Sequence, residues 1–216
     1  MSLTTIGNCR NYWRFESSEL SGGEFTDSVN GVAAVLDGTA AWATQNSLEG
    51  LDLATNTAVL QIDDSDVLGE FSVICVTGYR GGGQSYGLAT QNVGTTPVKA
   101  ILTCSSNKPT YANETFVATG DSPMNQSAVN VVCLGSDLEN GLFYIQVDGA
   151  TKYTSTGNKP GQSTLISSKF VWGSNGLGGT KDPLQHLYEL AFYIGDVTQD
   201  PGYATEIAAL KTKYGI

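Results

Sequence analysis

Side-chain periodicity constrains this chain more than any other feature. Phe71-Ser-Val-Ile-Cys-Val-Thr-Gly-Tyr79, Ala128-Val-Asn-Val-Val-Cys-Leu134, Gly141-Leu-Phe-Tyr-Ile-Gln-Val147 and His186-Leu-Tyr-Glu-Leu-Ala-Phe-Tyr-Ile194 are rich in β-branched and aromatic residues, with turn formers at both ends. A repeat of two sends successive side chains to opposite faces of an extended backbone, so these runs are strands. Weaker runs of the same kind lie at Asn11–Glu16, Val32–Asp37, Ala58–Asp63, Ser85–Thr90, Val98–Cys104, Glu114–Ala118, Thr151–Thr154 and Ser163–Trp172. Clusters of Gly, Asn, Ser and Asp interrupt them about every ten residues, the spacing of an antiparallel sandwich. Asp148-Gly149 sits where a two-residue hairpin turn needs positive φ at both central positions, so Phe143–Val147 and Thr151–Thr154 are expected to pair.

Only the tail carries a helical repeat of any length. Tyr203, Ile207, Leu210 and Tyr214 recur at i, i+4, i+7 and i+11. Asp200 is placed to cap this helix and Pro201 to open it, Lys211 and Lys213 oppose its dipole, and Gly215 can close it. One face should dock on the sandwich. No internal repeat, charge block or linker divides residues 1–216, which read as a single domain.

The 216 residues are 40% hydrophobic, enough to bury one sizeable core. Eleven Lys and Arg against 21 Asp and Glu give a net charge of −10, which repels both a phosphate backbone and an anionic lipid surface. Nucleic acid and membranes are therefore not expected partners. No stretch approaches the roughly 18–20 apolar residues of a membrane helix. Met1-Ser-Leu-Thr-Thr-Ile6 lacks the basic and apolar regions of a signal peptide, so the chain as written is expected to be made in the cytosol and to leave it by a route such as lysis. Cys9, Cys75, Cys104 and Cys133 are far apart and form no C-x-x-C pair. They read as buried thiols, with an even count that leaves a Cys75–Cys133 bridge open.

The order of the pieces resembles concanavalin-A-like, laminin-G-type domains. Tyr12-Trp-Arg-Phe-Glu16 followed by Phe25-Thr-Asp-Ser28 is similar to the opening of that family, and Leu36-Asp-Gly38 through Leu60, Phe71-Ser-Val-Ile-Cys75 and Leu142–Gly149 resemble its middle segments. Phe170-Val-Trp-Gly-Ser-Asn-Gly176, His186-Leu-Tyr-Glu-Leu-Ala-Phe-Tyr193 and Ile207-Ala-Ala-Leu-Lys-Thr-Lys-Tyr214 match its end in the right order. The resemblance implies an all-β, two-sheet antiparallel jelly-roll sandwich of about six or seven strands per sheet, with a short C-terminal α-helix. It implies little about activity, because this fold hosts lectins, glycanases, adhesion domains and virion proteins. Tyr188-Glu189 stands where the family carries an acidic pair, and the E-x-D-x-x-E cassette of its glycanases is absent.

Hydrolysis of a glycosidic bond with retention needs two carboxyl groups about 5 Å apart. Asp64, Asp66 and Glu70 come nearest, but they lie in or beside the polar loop Asp63-Asp-Ser-Asp-Val-Leu-Gly69 and read as solvated carboxylates. Asp63, Asp64 and Asp66 are also candidate ligands for a calcium ion, since they gather hard oxygens within four residues, and the family often holds calcium at its rim. No other cofactor is expected: one His and four scattered Cys give zinc no ligand spacing. His186 opens an apolar strand and reads as a sheet residue, not a catalytic base.

Two Gly-rich loops, Gly81-Gly-Gly83 and Gly173-Ser-Asn-Gly-Leu-Gly-Gly-Thr-Lys181, lack the Lys-Ser/Thr of a phosphate loop and read as tight turns at the sandwich edges. Around them lie side chains that stack on sugar rings or anchor a protein partner: Tyr79, Arg80, Tyr86, Trp172, Asn175 and Lys181. Trp172 and Tyr86 have a second reading as caps of the core, and Trp13 and Trp42 read as core.

Taken together, these features predict a binding or assembly module that catalyses nothing. An adhesion-type fold without leader, catalytic cassette or second domain fits a bacteriophage virion accessory protein: a head decoration, head fibre or tail component made in the host cytosol. In many copies it would gain avidity for other virion proteins or a cell-surface glycan. The alternative is a lectin-like carbohydrate-binding domain of a secreted glycan-active protein, working outside the cell.

Overall fold

The alternating runs form the strands they predict, and the longest of them carry the fold. The computed structural model describes residues 3–53, 59–62, 67–68, 70–79, 85–91, 99–100, 102–105, 108–113, 116–119, 124–125, 128–137, 142–155, 165–166, 169–172 and 186–216. The first sheet runs in the order Tyr153–Ser155, Leu142–Val147, Ala128–Asp137, Phe71–Tyr79, His186–Ile194, Leu48–Asp52, Trp42–Gln45. Cys9–Arg14 makes the eighth strand, sharing one edge of His186–Ile194 with Leu48–Asp52. The second sheet has seven strands: Lys99–Ala100, Leu88–Gln91, Lys169–Trp172, Val59–Ile62, Ala33–Asp37, Glu24–Thr26 and Leu20–Ser21. A four-stranded sheet from Ser85–Tyr86 to Phe116–Thr119 and the pair Val67–Leu68 with Leu165–Ile166 are smaller additions. All pairings are antiparallel, and the whole is a jelly-roll sandwich with one C-terminal helix, Tyr203–Tyr214.

Three predicted strands are divided. Ser85–Thr90 becomes Ser85–Tyr86 and Leu88–Gln91, and Val98–Cys104 becomes Lys99–Ala100 and Thr103–Ser105. The halves of each belong to different sheets, and the crossing point is tied by Gly87 N–H donating to the Leu102 carbonyl at 2.9 Å. A corner of this kind changes a strand's partners without changing its side-chain period, so alternation alone does not reveal it. Ser163–Trp172 likewise divides into Leu165–Ile166 and Lys169–Trp172. Periodicity does not reveal the hairpin Trp42–Gln45 with Leu48–Asp52: its two-residue turn places Asn46 and Ser47 at φ 49° and 65°, a conformation that Ser does not advertise.

The first sheet is buried on both faces. Toward the second sheet it sends Trp13, Phe71, Val73, Cys75, Val132, Ile145, Val147, Leu187, Leu190 and Phe192, which pack with Phe25, Leu60, Ile62, Phe170 and Trp172. Toward the C-terminal helix it sends Tyr12, Ile74, Val76, Val129, Val131, Cys133, Tyr144, Tyr188 and Tyr193. The helix answers with Tyr203, Ile207, Leu210 and Tyr214, the four positions its repeat predicts. Trp13 lies edge-on to Phe192 at 5.7 Å, and Trp42 is half-buried against Phe25.

A bulge in His186–Ile194 sets what the helix meets. Register against Phe71–Tyr79 shifts between Leu187 and Glu189, so Leu187 and Leu190 face the same core although three residues apart. Tyr188 and Glu189 both turn toward the helix. Glu189 is 1% exposed and accepts hydrogen bonds from Tyr12 Oη at 2.8 Å and Tyr214 Oη at 2.7 Å, with Lys213 Nζ as its counter-ion. This buried carboxylate ties strand, sheet and helix end together, and losing its partners would strand a charge. On the backbone side of the same Tyr12, Asp27 accepts N–H bonds from Tyr12, Val29 and Asn30 and fixes the turn after Phe25.

Helix boundaries follow the sequence with one shift. Gly215 adopts φ 70° and its N–H reaches the Thr212 carbonyl while Ile216 N–H reaches Lys211, closing the last turn. Asp200 lies two residues before the cap position Gly202, where its carboxylate accepts from Gly202 and Gly7 N–H, and the helix begins at Tyr203, not at Pro201.

All four cysteines are free, and the Cys75–Cys133 bridge is excluded by register. Cys75 stands opposite Val132, and Cys133 opposite Ile74, so the two side chains leave their strands on opposite faces. Burial pushes the Cys133 thiol up to about 12, Cys9 to about 12 and Cys104 to about 11, which keeps them protonated and unreactive near neutral pH. Alkylation without reductant should label four thiols per chain in denaturant and far fewer in the native protein. Two labels in denaturant would mean a disulfide and contradict this register.

Candidate functional site

The helix is narrower than the sheet it covers, and a groove opens along its flank. Leu142–Val147 alternates Ile145 and Val147 into the inter-sheet core, which leaves Tyr144 and Gln146 on the helix side. The chain then reverses through Asp148 and Gly149, at φ 52° and 71°, closed by Ala150 N–H on the Val147 carbonyl. Pairing resumes with Tyr153 opposite Ile145, one residue out of step with a two-residue turn, so Lys152 is released from the ladder toward the helix side. The turn lies against the helix: a Cβ on Gly149 would stand 3.2 Å from Ile207, and Lys211 Nζ donates to the Asp148 carbonyl at 3.0 Å.

Between turn and helix lies a cleft of about 480 Å³, within the range of ligand sites. Its floor is Ile207, Ala204, Ala208 and the Tyr203 ring, and its rim is Gln146, Asp148, Lys152, Thr198, Gln199 and Lys211. Tyr203 Oη donates to Gln146 Oε1, and Gln146 Nε2 donates to the Ala150 carbonyl. Lys152 Nζ donates to Thr198 Oγ1 at 2.8 Å, pairs with Asp196 at 3.3 Å and stands 4.8 Å over the Tyr144 ring. Asp148 Oδ1 accepts from Val131 N–H at 2.7 Å. Burial raises the Asp148 carboxyl, against the Val131 hydrogen bond and the Lys211 charge.

Burial also works to raise Asp196, but hydrogen bonds from the Thr198 hydroxyl and N–H and the Lys152 charge outweigh it and hold this carboxyl below the usual carboxylate range. Below Asp196, Ser72 accepts from Val197 N–H, donates to the Gly195 carbonyl and meets Tyr144 Oη. The cleft wall is therefore fixed by a continuous hydrogen-bonded path from the sheet.

The side chains singled out in the sequence fall elsewhere. Tyr79 is 1% exposed and Trp172 0% exposed, both inside the inter-sheet core, so their rings are closed to a sugar; for Trp172 the core-capping reading is the one observed. Tyr86 lies in the short strand Ser85–Tyr86 opposite Thr103. Arg80, Asn175 and Lys181, and the calcium candidates Asp63, Asp64 and Asp66, lie outside the described residues. Among the described residues no group of three or more His, Cys, Asp or Glu is placed to hold a metal ion. His186 is half-buried, with Nε2 3.8 Å from Asp52 Oδ1; burial lowers its pKa against the pull of that carboxylate, and its carbonyl accepts from Thr77 Oγ1. The groove is not legible in the sequence because turn and helix are about sixty positions apart, although a polar Gln146 on the same face as Tyr144 marks where that face meets solvent.

The sequence matches no protein-family profile and no curated relative. Solved structures share its fold. Domain 4 of AbnA, a GH43 extracellular arabinanase from Geobacillus stearothermophilus in complex with arabinotriose, matches with TM-score 0.66 and 15% identity over 93% of this chain and 98% of that one. Trypanosoma rangeli sialidase matches with TM-score 0.68 and 12% identity over 95% of this chain, and a botulinum neurotoxin type C structure with TM-score 0.66 and 9% identity over 97%. The chain spans 33% of that sialidase chain and 53% of that toxin chain. At these identities the likeness shows a β-sandwich fold. No helix among the described residues is long and apolar enough to cross a membrane.

A depressed carboxyl contributes stability that is present above its unfolded pKa of about 3.9 and lost as pH falls through the folded value. Asp196→Asn should therefore flatten the acid limb of the stability curve, measured as urea midpoints from about pH 5 downward. Superimposable acid limbs for variant and parent would contradict the role given to Asp196. Asp148, with a raised carboxyl, contributes in the opposite sense.

Proposed function

We propose that this chain is a lectin-like carbohydrate-binding domain that works outside the cell and binds glycan without hydrolysing it. The observation that carries this reading is the end-to-end correspondence with an arabinanase domain seen in complex with arabinotriose, in which neither chain has a large part left over. The sialidase and a neurotoxin whose cell entry depends on two ganglioside molecules add two more proteins linked to sugars. They favour this reading over the assembly of a virion.

The groove supplies the chemistry that a sugar needs: amide, ammonium, hydroxyl and carboxylate groups above an apolar floor. The non-hydrolytic reading is supported by the partners of the nearby carboxylates: Asp196 is held by Thr198 and Lys152, and Asp148 spends one oxygen on the Val131 N–H. The calcium proposed for Asp63, Asp64 and Asp66 bears on the same function and is removable by chelation.

Screening against an oligosaccharide array, followed by calorimetry, should show saturable binding of one glycan class. Long incubation should release no reducing sugar. Release of reducing ends would overturn the non-catalytic reading. Silence across the array, with co-sedimentation on phage particles, would restore the virion alternative.

A further inference from the structure

Resting on the carbohydrate-binding reading, we infer that the cleft between the Asp148-Gly149 turn and the C-terminal helix is the sugar site, and that it takes a neutral oligosaccharide, not a carboxylated one. Shape comes first. The Ala204 and Ala208 positions are exposed on the helix surface, and Ile207 and Tyr203 lie below them, which offers the C–H face of a sugar ring a strip without competing polar atoms.

Bonding capacity comes second. An ammonium has three donors and a carboxamide two. Among the described residues Lys211 Nζ spends one, on the Asp148 carbonyl, and Gln146 Nε2 one, on the Ala150 carbonyl. Asp148 accepts from Val131 through Oδ1, which among the described residues leaves Oδ2 as an acceptor on the same rim. A hydroxyl both donates and accepts, so neighbouring hydroxyls of one sugar can take a proton from Lys211 and give one to Asp148.

Charge decides between neutral and acidic sugars. Cations and carboxylates balance in number here: Lys152 on the rim is paired with Asp196 at 3.3 Å, and Lys211 and Asp148 stand on the same rim. Among the described residues the site has no cation in excess of its carboxylates for a sugar carboxylate, and the chain carries a net charge of −10. An anionic ring would lose hydration without gaining a counter-ion, whereas a polyol exchanges water hydrogen bonds for equivalent ones. The walls are already in place, held by the Lys211–Asp148 bond, the Gly149–Ile207 contact and the Ser72–Tyr144 path, so little ordering is left to oppose binding.

Three variants test this: Ala208→Trp, which fills the cleft from an exposed helix position; Lys211→Met, which removes the free donors; and Thr205→Trp, an exposed helix position outside the cleft. Affinity for arabinotriose and for a uronic acid trisaccharide would be measured at about 50 and about 500 mM salt. The neutral sugar should bind at least about tenfold more tightly, with little salt dependence. Ala208→Trp and Lys211→Met should each weaken it about tenfold or more, while Thr205→Trp leaves it unchanged and all three variants stay folded by circular dichroism. A preference for the acidic sugar that fades with salt would overturn the inference, as would full binding by both cleft variants; either leaves the carbohydrate-binding reading intact. Failure of the parent protein to bind any oligosaccharide would overturn that reading as well.

Discussion

The central strands of the first sheet are buried on both faces, and the rest of the molecule follows from that. Phe71–Tyr79 is buried at every position, and so are Val129–Gly135 and Leu187–Tyr193 of its two neighbours. A sheet apolar on both sides must be covered twice. One cover is the second sheet. The other is the twelve-residue helix Tyr203–Tyr214, helped by Leu3 and Ile6 at the start of the chain. A helix this short would be marginal in water by itself, so it forms because the sheet supplies its partner.

Covering a broad sheet with a narrow helix leaves edges, and polar chemistry concentrates there. On one flank the bulge at Tyr188 and Glu189 turns a carboxylate inward, where two tyrosine hydroxyls and Lys213 hold the helix C-terminus to the strands. On the other flank the Asp148-Gly149 turn rises against Ile207 and creates the cleft. The same packing that stabilises the fold thus shapes the cleft.

Much of this was legible in the residues and some was not. The long strands, the Asp148-Gly149 turn and the helix face are local patterns, and all three appear as read. The near-continuous apolar content of Phe71–Tyr79 and His186–Ile194 carries the two-sided burial, since a strand with one wet face alternates more cleanly. What could not be read is where distant segments meet. Trp172 and Tyr79 flank Gly-rich loops in sequence, which suggests a rim, yet alternation turns both rings into the core. Cys75 and Cys133 are close in the sheet and separated by its thickness. Lys152 enters the cleft only because the hairpin ladder slips by one residue after its turn, a shift that depends on backbone geometry, not on composition.

The central claim is that sugar is bound beside the helix, on the outer face of the doubly covered sheet. The most direct measurement is backbone amide chemical-shift mapping of the isotope-labelled chain during titration with arabinotriose. The account predicts perturbations concentrated at residues 146–152 and 198–211, with the inter-sheet core strands unmoved. Perturbations confined to the loops around residues 80–86 and 173–181, with the cleft amides silent, would contradict it.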